Sequence, residues 1–344
     1  MPLVVDGSLL EGGGQILRIS SVLAALFSKD LTIVKIRGGR SKPGLRPQHM
    51  HGLKLISEMS GCQLHNCLEN SLEVSLDSFP KKAFSGGNFI ADTKTAGSVS
   101  LLLQIALPFT LFSQKKSQLK LLGGTVADMA PPIHFTQSIL HHYLKMMNVD
   151  FSVDVVKHGY YPRGGGEVIV EVEPLSDCLH PLILTQRGSV TRINIESYVA
   201  GVLPLKIAEE MSKVATSVLK ASPIIDKSVE IIVQNSKETK SVGNASYIFM
   251  FAETSEGCRI ASSAIGKKGT PNSKTGETAA MDLLKQLQHK ARGRSSVLTG
   301  PLSSHSETVI AICQQILAAK FFVEKTENGA VISCDGIAYS TKCI

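Results

Sequence analysis

The chain has 344 residues, 43% of them hydrophobic and 19% charged, with seven scattered cysteines and no CxxC pair. That composition excludes a disordered chain, a disulfide scaffold and a zinc-finger array, and it predicts one large or two unequal globular domains with reduced thiols. Lys and Arg total 36 against 29 Asp and Glu, a formal charge of +7 that suits a polyanionic partner without requiring one.

The first predicted feature is the Gly-rich turn EGGGQ, Glu11 to Gln15, opening a helix that carries Arg18. Backbone amides at such a helix start attract anions. A plain tight turn would look the same in sequence. Leu31 to Arg37 is rich in branched residues and predicts a strand. It runs into a loop in which Lys35, Arg37, Arg40, Lys42 and Arg46 fall within twelve residues and no acid interrupts them. A basic loop at a strand end is a natural phosphate-binding element. Gln48 and His49 stand at the start of the next predicted helix, Pro47 to Ser60, where Met50, Leu53, Leu55, Ile56 and Met59 give the apolar face.

Further elements follow in alternation. A strand is expected over Ser71–Leu76, a long apolar helix over Ala96–Phe112, a strand over Gln118–Leu122 and a helix over Pro132–Met147. The apolar run LLLQIALPFTLF is broken by Gln104 and Pro108 and reads as a buried helix, too short to span a bilayer. Strands are expected over Phe151–Val156 and Glu167–Val172, on either side of the glycine run RGGGE. A block near 181–274 has its own texture, with strands over Arg192–Ser197, Val229–Gln234, Ser246–Glu253 and Arg259–Gly266 and a helix over Leu205–Leu219. It reads as a small inserted domain, 1–180 and 275–344 forming the larger one. Helices over Thr275–Gln288 and Glu307–Leu317 and strands over Lys320–Lys325 and Ala330–Cys334 complete the chain. The fold class is α/β (α+β), with one strand–turn–helix unit recurring.

The last motif is TGPLSSHSETVIAICQQIL. His305 stands at a helix start, where the helix dipole disfavours positive charge, and the neutral imidazole is the nucleophilic form. Taken alone, a histidine there is more often an ordinary neighbour of the cap.

The run His158-Gly159-Tyr160-Tyr161-Pro162-Arg163-Gly164-Gly165-Gly166-Glu167-Val168 matches, at every constrained position, a signature of the form His/Arg-Gly-x-x-Pro-x-Gly-Gly-Gly-x-aliphatic. With DGSLLEGGGQILR, RGGRSKPGLRPQH, ADTKTAGSVSLLLQ, GGTVADMAPP and AGVLP in order along the chain, it resembles the RNA 3′-terminal phosphate cyclase family, in its ATP-dependent branch. The resemblance implies three βαβαββ-type units plus a smaller α/β insert. It implies that His305 is the nucleophile that takes AMP from ATP, and that the product is a 2′,3′-cyclic phosphate formed through an RNA-3′-pp-5′-A intermediate. By the same resemblance Glu11, Arg18, Gln104 and Pro131 belong to the ATP site, Glu11 holds Mg²⁺ or another divalent cation, and Arg37, Arg40, Gln48 and His49 hold the RNA phosphate. The implied partners are ATP and RNA with a 3′-phosphate end, with no membrane and no obligate protein partner. The expected location is intracellular, the nucleus ahead of the cytoplasm.

One departure bears on that site. Between the helix ending near His289 and TGPLSSH the family carries some 15–20 further residues, including an Asp-Gln block that contacts adenosine. Their shortening here implies weaker ATP binding and lower stability. A non-catalytic, cyclase-like protein acting in ribosome biogenesis is the alternative; such relatives lack the nucleophilic histidine, which this chain has. An enolpyruvyl-transferase-like enzyme would share the repeated fold but neither the signature nor His305.

Overall fold

The computed structural model describes residues 2–80, 84–184, 186–288, 297–299, 303–317, 319–326 and 329–335. Its first unit begins with two parallel strands, β1 (Leu3–Asp6) and β2 (Leu31–Val34), joined by helix α1 (Gly14–Leu26). Helix α2 (Pro47–Ser60) then leads to β3 (Gln63–His65) and β4 (Val74–Asp77), which close an antiparallel half in the order β1-β2-β4-β3. The bounds of α2 are those expected from sequence. Pro47 opens it with a preset φ, and Gly61 ends it in the left-handed region at φ 74°.

The same succession recurs with β5 (Asn88–Asp92), α3 (Val99–Thr110), β6 (Ser117–Gly123), β7 (Phe151–Gly159) and β8 (Gly166–Val172). β5 and β6 are parallel and β8 pairs antiparallel with both β6 and β7, so the order β5-β6-β8-β7 repeats the first sheet. Between β6 and β7 the single helix expected from sequence is α4 (Ile133–Phe135), a π turn over Thr136–Leu140 and α5 (His141–Met146). Both units share one core, in which Ile16, Leu31, Leu53, Ile56, Leu102, Leu119 and Val170 are buried. It is aliphatic, as a chain without tryptophan requires, with Phe109 and Phe151 its buried aromatics.

The expected insert has a sheet of its own. β9 (Val190–Ala200), β10 (Glu230–Glu238), β12 (Ala245–Thr254) and β13 (Arg259–Ile265) lie in the order β10-β9-β12-β13, with α6 (Lys206–Ala221) against them. Helix α7 (Asn272–Gln288), counted from residue 275 with the larger body on sequence grounds, packs here instead. Its Ala279, Ala280, Leu283 and Leu287 join Ile193, Met211, Ile248 and Met250 in a second core. The short strand β11 (Ser241–Val242) leaves this body and pairs with β7, Ser241 facing His158.

A third sheet comprises β14 (Val297–Thr299), β15 (Lys320–Thr326) and β16 (Gly329–Asp335), antiparallel in the order β14-β16-β15. Among the described residues this unit is β–α–β–β, shorter than the first two. Helix α8 (Ser304–Leu317) packs on α1, burying Ile312 and Ile316 in the first core. Gln315 Nε2 donates to Val4 O at 2.9 Å and Lys29 Nζ to Ile316 O at 2.9 Å, which fixes the helix against β1 and the end of α1. Residues 289–296, on which the shortened-pocket expectation falls, lie outside the described residues, as does Cys343. Cys62, Cys67, Cys178, Cys258 and Cys313 are free thiols. Among the described residues no helix is long and apolar enough to cross a membrane.

The signature run is a packing junction. A Cβ on Gly159 would lie 2.1 Å from Gly166 N, 2.5 Å from Gly123 O and 2.6 Å from Gly164 O, all backbone. Backbone on three sides has no side-chain end to move aside. Gly159→Ala is therefore expected to destabilise by about 3 kcal/mol or more, at the upper end of overpacking effects. Urea unfolding followed by circular dichroism measures this; a loss under about 1 kcal/mol would contradict the packing account.

Candidate functional site

Glu11 sits in the turn before α1, between Leu10 at φ 49° and Gly12 at φ 56°. Helix α1 starts from Gly13 with no side-chain cap and no acidic residue in its first turn, so its leading amides remain available to an anion. The Glu11 carboxylate reaches two other elements. Oε1 accepts a short hydrogen bond from Arg40 Nη2, and Oε2 meets His305 Nδ1. The Glu11 side chain is only 17% exposed, whereas His305 is 56% exposed.

His305 lies in the first turn of α8 rather than in the loop before it. The helix begins three residues earlier than expected from sequence because Ser303 caps it, its Oγ accepting from the Ser306 amide at 3.2 Å. Packing of α8 on α1 brings His305 to the start of α1, across 294 positions of sequence (305 − 11).

Arg18 is one turn into α1. Its Nε donates to Gln104 Oε1 at 2.9 Å, so the exposed Gln104 that interrupts the apolar face of α3 has a partner across the units. Loss of water lowers the Arg18 pKa to about 10, against the pull of Glu11, and the guanidinium stays charged at neutral pH.

His49 is buried in the first turn of α2, and its Nδ1 accepts from the Arg46 amide at 3.2 Å. Its Nε2 presses on Gly14, where a Cβ would lie 2.4 Å from that nitrogen and 3.2 Å from Arg18 Nη1. Gly14 is thus the residue that lets His49 and Arg18 share the start of α1. Burial, and then Arg37, Arg18 and Arg46 in turn, hold the His49 pKa down to about 3, and the ring is neutral.

This carries a pH dependence. The folded pKa lies below the unfolded 6.5, so the stability His49 contributes is present above pH 6.5 and is lost as pH falls toward 3. Between pH 7 and pH 5 its share amounts to about 2 kcal/mol. Urea midpoints at the two pH values are expected to differ less in His49→Gln than in the parent chain. Equal differences would remove His49 as the cause.

The structure unites Glu11, Arg18, Arg40, His49, Gln104 and His305 around the start of α1. The other predicted residues are placed differently. Arg37 Nη1 donates to Lys42 O at 2.6 Å and Gly44 O at 3.1 Å, bracing the basic loop. Gln48 Oε1 accepts from the Ser98 amide at 3.4 Å, facing the second unit. Pro131 lines a cleft of about 500 Å³ with Phe135, Phe249, Asp282 and Lys285, whose walls, among the described residues, hold none of the other predicted residues. The basic loop is also less bare than its sequence. Lys35 pairs with Asp6 at 2.9 Å, Arg40 with Glu11, and Arg46 approaches Glu69 at 4.0 Å. These acids come from other segments, so counting neighbours along the chain missed them.

Sequence reasoning also missed a second polar cluster, at His134, His158 and Glu238. In the sequence His158 stands out only as the first residue of the signature, and nothing local marks His134 or Glu238.

The model of the RNA 3′-terminal phosphate cyclase family matches residues 9–323. The chain is 35% identical to a protein of Dictyostelium discoideum named "Probable RNA 3′-terminal phosphate cyclase", over 97% of this chain and 83% of that one. It is 32% identical to the RNA 3′-terminal phosphate cyclase of Drosophila melanogaster, over 99% and 98% of the two chains. With the enzyme of that name from Desulfurococcus amylolyticus it shares 35% identity, over 83% of this chain and 79% of the relative.

Proposed function

The chain belongs to the RNA 3′-terminal phosphate cyclase family, and from that premise we propose that it converts an RNA 3′-phosphate to a 2′,3′-cyclic phosphate with ATP as co-substrate. The observation that carries this reading is the Glu11–His305 contact at the uncapped start of α1, flanked by Arg18 and Arg40.

A carboxylate on Nδ1 holds the Nδ1–H tautomer, which leaves the Nε2 lone pair outward as the nucleophile. Nε2 attacks the α-phosphorus of ATP; a P–N bond forms, the bond to the β-bridging oxygen breaks, and pyrophosphate departs. A terminal oxygen of the RNA 3′-phosphate then attacks the same phosphorus, the P–N bond breaks, and imidazole leaves. The neighbouring 2′-hydroxyl gives its proton to water and its oxygen attacks the RNA phosphorus; the bond to the oxygen bridging the two phosphates breaks, AMP leaves, and the ring closes. Arg18, Arg40 and the α1 amides balance charge on the phosphoryl oxygens in each transfer. The Glu11 carboxylate is only 17% exposed, and Oε2 keeps a second lone pair beyond its contact with His305 Nδ1, so it fits a hard divalent cation. Mg²⁺ there would neutralise phosphate charge during the transfers.

The test is incubation with α-labelled ATP, Mg²⁺ and an oligoribonucleotide ending in a 3′-phosphate. Acid-labile label on the protein and a phosphatase-resistant RNA end are expected. A chain that gives neither is a non-catalytic relative.

A further inference from the structure

His134 from α4, His158 from β7 and Glu238 from the end of β10 converge where the second unit meets the insert. One nitrogen or oxygen of each lies within 4.8 Å of the others. His158 Nε2 is 3.3 Å from Glu238 Oε1, near the ligand–ligand separation of about 3.4 Å that a tetrahedral cation with bonds of about 2.1 Å requires. His134 Nε2 stands 3.3 Å from the Tyr247 hydroxyl, which in turn donates to Glu238 Oε1. Tyr247 thus fills the space between the His134 ring and the carboxylate.

Three further observations point to a ligand. His134 is 7% exposed, and its Nδ1 is buried without a hydrogen-bond partner. The Glu238 side chain, also 7% exposed, faces the two imidazoles and the hydroxyls of Tyr160 and Tyr247. A buried carboxylate beside two imidazoles is the donor set that borderline cations take. A cleft of about 390 Å³, lined by Asp154, His158, Lys237, Glu238 and Lys240, opens onto the pair from solvent.

The outer shell is in place as well. Thr125 Oγ1 lies 3.1 Å from His158 Nδ1, fixing the ring so that Nε2 faces the carboxylate. The His134 and His158 rings lie with centroids 5.6 Å apart and planes 4° from parallel.

We propose that His134, His158 and Glu238 form a binding site for one divalent transition-metal cation of the Zn²⁺ class, separate from the Glu11–His305 site, which clamps the insert to the second repeat unit. Two imidazoles and a carboxylate supply three ligands, and either water from the cleft or the Tyr247 oxygen completes the fourth. The cation bridges elements that also meet here through the apolar clusters of Tyr160 with Tyr247 and of Ile139 with Phe249, through hydrogen bonds and through the β11–β7 pairing. Its role is structural, and binding raises the resistance of the whole chain to unfolding by mass action.

The full chain, stripped with chelator and dialysed, is titrated with Co²⁺ and separately with ZnCl₂. One equivalent is expected to bind. Bound Co²⁺ should show the intense visible absorption of four-coordinate Co²⁺, and excess Zn²⁺ should bleach it. Zn²⁺ should also raise the melting temperature by several degrees. His134→Phe and Glu238→Gln are each expected to abolish the absorption and the thermal shift, while His305→Ala, which removes a competing imidazole, keeps both. Unfolding curves without metal show whether each variant is folded. Absence of stoichiometric binding in the parent chain overturns the site, and so does binding that survives in a folded Glu238→Gln or is lost in His305→Ala.

Discussion

His305→Ala is expected to leave no AMP on the protein and to slow cyclisation of an RNA 3′-phosphate by at least ~10³-fold. The lost group is the only imidazole placed against the Glu11 carboxylate among the described residues, and no water can store AMP as a covalent adduct. The loss should be confined to the step that needs the nucleophile. An RNA already carrying the 3′-pp-5′-A end asks only for ring closure and departure of AMP, which Arg18, Arg40 and the α1 amides can assist without His305. The variant should therefore still cyclise that substrate at a rate near that of the parent chain. Because the His305 side chain is 56% exposed, its removal should change stability by under about 1 kcal/mol. A variant that still accepts label from ATP would sink the assignment.

Glu11→Gln is expected to cut adenylylation by ~10²-fold, the order of one preorganised electrostatic contact. The carboxylate accepts from Arg40 on one oxygen and meets Nδ1 of His305 on the other. A carboxamide has only one accepting oxygen, so its NH₂ must face one of these two donors. The change also removes negative charge beside Arg18 and Arg40, which should raise the Mg²⁺ concentration for half-maximal rate and destabilise the fold by about 1–3 kcal/mol. Initial rates across a Mg²⁺ series, with urea unfolding on the same preparations, separate the two effects. An unchanged rate and unchanged Mg²⁺ dependence would show that Glu11 only braces Arg40.

The legibility of the chain varied with the range of the forces involved. Helix α2 could be read to the residue because its apolar spacing, opening proline and closing glycine are local signals. The long helix α3 and the strands β6 and β8 are equally plain, since α3 is apolar on nearly every face and both strands alternate buried and half-buried positions. β1 and β5 were not read as strands at all. Each has only four or five residues, and β1 shows just one buried side chain, so neither has a period to detect. Sequence leaves the placement of α7 open for a related reason. Its apolar face is clear in sequence, but the sheet it covers is decided by the partner surface.

The site divides along the same line. Sequence determined the inventory: a Gly turn with Glu11 and Arg18, a basic loop with Arg40, His49 at a helix start, and His305 before an apolar helix. It also determined the family through the signature run, in which Gly159, Gly164 and Gly166 stand where backbone leaves no room for a side chain and Gly165 holds a left-handed φ of 71°. Only the tertiary structure decided which of these residues meet. Packing of α8 on α1 sets His305 against Glu11, and packing of α3 beside α1 gives Arg18 its contact with Gln104. The fold also commits Arg37 to carbonyls of its own loop and brings acids from other segments to the basic cluster. The physical reason is range. Backbone preferences and apolar periodicity act over a few residues and are written locally. Charge pairing and ligand geometry act through space, between groups the chain holds tens to hundreds of residues apart.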